Sequence, residues 1–82
     1  MARVRLRLFA GAREAAGRSS DTLEATTVDE VLDRARAAYG AHFTAVLDTA
    51  RVWVNGEEPA TGGATSLFDG DEVAVLPPVS GG

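Results

Sequence analysis

From Arg3 to Leu8, arginines and apolar residues alternate without a break (R-V-R-L-R-L), and Phe9 follows. A period of two is the signature of a strand with one buried face. Val4, Leu6 and Leu8 must therefore face a core, with Arg3, Arg5 and Arg7 facing away. A sheet with one buried face needs a cover, and the chain offers one substantial candidate. Thr27-Val28-Asp29-Glu30 fits a capping box, with Thr27 as N-cap and Glu30 at N3. Val28, Val31, Leu32, Ala35 and Tyr39 follow at helical spacing, acids precede arginines, and Gly40 sits where a helix stops.

The remaining segments read as further strands. Ser19 to Ala25 suits a strand antiparallel to the first, and Ala12 to Ala16 between them suits one helical turn closed by Gly17. Phe43, Val46 and Leu47 suggest a short apolar connector after the helix. Arg51 to Val54 reads as a third strand with Asn55-Gly56 as its turn signal. Pro59 to Thr65 reads as loop, Leu67-Phe68 as its anchor to the core, and Asp69-Gly70-Asp71 as a tight turn. Glu72 to Leu76 is the last strand, stopped by Pro77-Pro78 because proline cannot donate to a ladder. The order strand, strand, helix, strand, strand predicts an α+β, ubiquitin-like β-grasp fold. One main helix covers one face of a mixed four- to five-stranded sheet, with the first and last strands adjacent and parallel. The expected division is a domain over 1–76 and an extended, mobile tail over 77–82.

Parity also predicts the uncovered face. With Val73 and Val75 inward, Leu76 points outward; with Val52 and Val54 inward, so does Trp53. An outward Trp and Leu among charges form a candidate docking patch.

Composition removes most alternatives. The 82 residues include no cysteine, so thiol chemistry, disulfides and Cys-based metal sites are excluded. The single histidine, His42, cannot make a cluster, and no metal site is expected. All eight basic residues are Arg, so no side-chain amine exists. The formal net charge of -4 argues against nucleic acid as partner. It is uneven: residues 1–18 carry five Arg and one Glu, whereas 19–82 carry three Arg and eleven acids. No apolar run is long enough to span a membrane, and the first ten residues lack a signal-peptide core, so cytoplasmic residence is expected.

With no catalytic constellation among the side chains, attention falls on the final Gly81-Gly82. A main-chain carboxylate becomes reactive once ATP converts it to an acyl adenylate, and a sulfur nucleophile can then displace AMP. Glycines let such a tail thread a narrow channel where side chains would clash. Extended, residues 77–82 reach at most ~20 Å.

The run L-F-D-G-D-E-V-A-V-L-P-P-V-S-G-G over 67–82 resembles the C-terminal signature of the MoaD/ThiS sulfur-carrier family. V-R-L-R-L-F-A-G-A-R-E, T-V-D-E-V-L and V-N-G-E follow the same family. The resemblance implies a non-catalytic carrier, the small subunit of molybdopterin synthase. Gly82 would be adenylated by a ubiquitin-activating-like enzyme (MoeB-like), become a thiocarboxylate, and give sulfur to precursor Z on the large subunit (MoaE-like). No cofactor is expected to stay bound; ATP serves the activating enzyme. Leu76, Pro77, Pro78, Val79 and Ser80 are the expected partner-binding residues, with Trp53 added from parity. Related carriers serve thiamine, cysteine or thio-metabolite synthesis. A ubiquitin-like modifier, conjugated through Gly82, is the alternative of another class.

Overall fold

The computed structural model describes residues 1–78. Four strands, β1 (Ala2–Leu8), β2 (Ser20–Ala25), β3 (Arg51–Val54) and β4 (Glu72–Leu76), form one sheet in the order β2-β1-β4-β3. β1 pairs antiparallel with β2 and parallel with β4, and β3 pairs antiparallel with β4. This is the β-grasp arrangement. The parallel central pair follows from the crossover: α2 (Val28–Tyr39) carries the chain across one face before β3 and β4 are laid down.

Alternation decides the layers. Ala2, Val4, Leu6 and Leu8 of β1 and Val73 and Val75 of β4 are buried beneath Val28, Val31, Leu32 and Ala35 of α2. Val52 and Val54 also pack toward this core but are only half-buried, because β3 is an edge strand.

The N-cap of α2 differs from the capping box in one detail. Thr27 Oγ1 accepts from the Glu30 amide at 3.3 Å, as expected. The Glu30 carboxylate reaches one residue further back, accepting from the Thr26 amide at 2.6 Å rather than from Thr27. Either way, backbone donors at the helix start are satisfied.

Three readings are corrected. The connector after Gly40 is a helix, α3 (Ala41–Leu47), whose Phe43 and Leu47 enter the core; Phe43 is fully buried against Tyr39, edge to face at 5.1 Å. A seven-residue segment carries too few apolar positions to reveal its period, and helix formation here is enforced by burial. The first short helix, α1, runs over Ala10–Ala16 and is longer than the single turn expected. Leu67 is buried but Phe68 is 70% exposed, so Leu67 alone anchors the loop.

The acidic cluster after it does turn work. Asp69 Oδ1 accepts from the Arg3 amide (2.8 Å) and Asp71 Oδ2 from the Phe68 amide (2.8 Å), with Gly70 at φ 89° between them. Asn55 and Gly56 have the two positive φ angles, 52° and 82°, that a type I′ hairpin turn needs. Asn55 also clamps β4 at its start, donating to Asp71 Oδ1 and accepting from the Glu72 amide.

Candidate functional site

The sheet face opposite the helices is open, and register fixes what stands on it. The parallel pairing places Arg7 beside Ala74, and the antiparallel pairing places Trp53 on Ala74's other side. Arg51 is paired with Leu76. The outward parity of Trp53 and Leu76 therefore holds: both are half-buried, and neither packs against the core cluster.

Phe9 belongs to the same corner and was missed by the sequence reading. It is extended (φ -126°, ψ 153°), and its amide donates to the Val75 carbonyl at 3.2 Å, continuing the ladder one step beyond β1. The alternation that turns Arg3, Arg5 and Arg7 outward thus turns Phe9 outward too, beside Leu76. It is 39% exposed. The Arg7 guanidinium lies 5.7 Å from the centre of its ring and 3.6 Å from the Glu72 carboxylate. The signal was available, since Phe9 lies two residues after Arg7; it was obscured by treating Phe9 as the strand's end.

Phe9, Ala74, Leu76 and Trp53 make a small apolar corner at the C-terminal ends of the parallel strands, where the chain continues into Pro77 and Pro78. On the other side of this exit a shallow groove is lined by Ala10, Gly11, Val46 and Thr49 together with both prolines. Pro77 and Pro78 therefore leave the body between two surfaces rich in small and apolar groups. The expected working residues Gly82 and Gly81, and the partner-binding Val79 and Ser80, lie outside the described residues.

Charge is sorted by face. The open sheet face holds four arginines (Arg3, Arg5, Arg7, Arg51) and two acids (Glu24, Glu72), a formal +2. The other four arginines and ten acids of the chain, a formal -6, lie elsewhere. The sequence-level asymmetry thus becomes a basic sheet face with an apolar corner on an otherwise acidic molecule. Such a distribution steers encounter as well as docking.

No side-chain catalytic cluster is present on the described surface. No group of three His, Cys, Asp or Glu among the described residues is close enough to hold a metal. His42 is exposed on α3. The two perturbed acids, Asp21 and Tyr39, bond each other away from the tail exit. The hydrogen bond from Tyr39 holds the Asp21 carboxyl below its ordinary range, and desolvation pushes the Tyr39 hydroxyl up.

The comparisons agree with this geometry. A sequence model described as the ThiS family matches residues 6–82. The chain is 34% identical over 82 residues to a molybdopterin synthase sulfur carrier subunit of Chlamydomonas reinhardtii, covering 96% of this chain and 98% of that protein. Among solved structures it resembles the small archaeal modifier protein SAMP1 of Methanosarcina acetivorans, with TM-score 0.88 and 33% identity over 100% of this chain and 98% of that one. It also resembles a chain in the complex of subunits 1 and 2 of the molybdopterin-converting factor of Helicobacter pylori, with TM-score 0.70 and 25% identity over 98% and 99% of the two chains. A β-grasp body, an apolar corner beside the exit of its last strand, and a family match that runs through residue 82 together place the chain in the ThiS family.

Proposed function

We propose that this chain is a sulfur carrier, the small subunit of a molybdopterin synthase, and that its working group is the carboxylate of Gly82. The observation that carries the reading is the apolar corner of Phe9, Trp53, Ala74 and Leu76 at the root of the segment that leads to Gly81-Gly82. A carrier of this kind needs a docking surface and a presentable main-chain carboxylate, and no catalytic side chain.

In the activation step a Gly82 carboxylate oxygen attacks the α-phosphorus of ATP, and pyrophosphate leaves. A sulfur nucleophile then adds to the acyl carbon, and AMP departs with the electron pair of the broken C–O bond. The resulting thiocarboxylate is the donor. An adenylating enzyme of the MoeB kind would supply the nucleotide chemistry. A large subunit of the MoaE kind would seat the sheet face and receive the tail, with precursor Z as acceptor. Support for a large-subunit partner comes from the likeness to the Helicobacter pylori complex, and for the pathway from the Chlamydomonas reinhardtii relative.

The test is intact-mass analysis after incubation with such an adenylating enzyme, ATP and a sulfur source. The expected product has one oxygen replaced by sulfur, located at Gly82 by fragmentation. A chain lacking Gly82 that still supports sulfur transfer would refute the reading. Precursor Z and the large subunit, added next, separate molybdopterin synthesis from thiamine, cysteine or thio-metabolite synthesis.

The likeness to SAMP1 favours a second reading, in which Gly82 is joined to amines of other proteins as a modifier. It predicts isopeptide-linked adducts on target lysines, which the carrier reading does not require.

A further inference from the structure

We infer that the activated chain is a donor only: nothing in its own body can take the acyl group from Gly82 to form a stable bond. The inference rests on the proposal that Gly82 is activated. An acyl adenylate is an electrophile tethered to its own protein, and a tethered amine meets it at an effective concentration in the millimolar range. Aminolysis forms a C–N bond, breaks the acyl C–O bond, expels AMP with the electron pair and releases the amine proton to solvent. A carrier with a reachable amine would consume itself by ring closure.

This chain withholds the amine in two ways. All eight of its basic residues are arginine. A guanidinium stays protonated at any working pH and offers no lone pair, whereas a lysine ammonium can lose its proton. The single imidazole, His42, forms only an acyl-imidazole, which water returns to the carboxylate. The α-amine of Met1 then remains as the sole amine in the 82-residue chain, and topology removes it. β1 and β4 are parallel with Leu8 opposite Val75, so the chain begins at one end of the sheet and leaves the last strand at the other. From Met1 to the level of Leu76 is eight residues of extended strand, ~26 Å. The six residues after Leu76 span at most ~20 Å, and they would have to double back along the sheet.

An antiparallel central pair would have put the amine beside the exit. The parallel pair that defines the fold therefore also protects the activated end, while the arginine-only composition protects the rest of the surface. Arg51 sharpens the point. Its Cα is paired with that of Leu76, and its side chain is exposed, so a lysine at this one position would stand within the tail's reach.

The experiment bypasses any activating enzyme, so its outcome is independent of whether sulfur transfer is the true function. The 82-residue chain is prepared with a terminal thioester at Gly82 by intein cleavage with a small thiol. It is held at micromolar concentration and mildly alkaline pH, and followed by intact mass. Wild type should lose its thioester by hydrolysis alone, giving back the free acid with no cyclic or dimeric amide. Arg51→Lys should add a second product, the chain minus thiol with no water added, mapped by digestion to a bond between residues 51 and 82. Circular dichroism before the reaction confirms that the exposed Arg51→Lys variant is folded. An amide product from wild type would overturn the inference. So would silence from folded Arg51→Lys, because the absence of an amine would then not be what limits self-acylation.

Discussion

The hydroxyl of Tyr39 donates a 2.6 Å hydrogen bond to Oδ2 of Asp21, tying the last turn of α2 to the edge strand β2. Arg18 completes the cluster, 3.1 Å from the same carboxylate and 5.5 Å from the centre of the Tyr39 ring. Tyr39→Phe should lower stability by about 1 kcal/mol at neutral pH. The pH dependence has a definite sign. The Asp21 carboxyl is lowered in the fold, so its contribution is complete above the unfolded value of about 3.9 and fades as pH falls through the folded value. The Tyr39 hydroxyl is raised, so its contribution is complete below about 10 and fades as pH climbs beyond that. Urea melts of wild type and Tyr39→Phe should differ by a constant amount between these limits and converge below about pH 3. A constant difference down to pH 2 would contradict the assignment.

Phe43 and Phe68 should behave oppositely. Phe43→Ala removes a fully buried ring from the junction of α2 and α3 and should cost about 3–5 kcal/mol, a large share of the stability of so small a domain. Phe68→Ala at a 70% exposed site should cost under about 0.5 kcal/mol. Thermal melts of the two variants decide it.

At the apolar corner, Leu76→Asp and Phe9→Asp should each weaken binding to a large-subunit partner by at least tenfold, about 1.4 kcal/mol, while unfolding midpoints move little. Titration calorimetry beside thermal melts separates the two effects. Equal losses of binding and stability would mean that these side chains serve the body.

The basic sheet face should act through encounter. Reversing Arg3 and Arg5 to Glu should slow association with a partner of acidic surface, and added salt should weaken the wild-type rate, with dissociation little changed. Stopped-flow association rates at low and high ionic strength test this. A wild-type rate indifferent to salt would remove the steering role.

Deleting Gly82, or extending the chain beyond it, should abolish thiocarboxylate formation and leave circular dichroism and melting unchanged. Intact-mass analysis reads the first and a thermal melt the second. Loss of folded signal would show instead that the last residue supports the body.

The strands and the long helix were legible because their side chains repeat at two clear periods over enough residues. Arg3–Leu8 and Val28–Tyr39 leave little choice of partner face, and the parity of Trp53 and Leu76 followed from the valines beside them. Short segments were not legible. Ala41–Leu47 contains only Phe43, Val46 and Leu47 as large apolar residues, too few to separate a helix from a packed loop. Leu67 and Phe68 look equivalent in sequence, and only the chain's path past Thr26, whose carbonyl accepts from the Leu67 amide, sends one inward and the other out.

The amino-acid order by itself determined which residues alternate, which chemistries the chain lacks, and that a strand must stop at Pro77. Each of these depends on local sterics or on atoms that are present or absent. Only the tertiary structure brought Phe9 beside Leu76, set Trp53 across Ala74, gathered four arginines onto one face, and put Met1 at the far end of the sheet from the tail. Those relations are between residues distant in sequence. They are fixed by hydrogen-bond register and by burial of a shared core, which exist only when the strands are assembled.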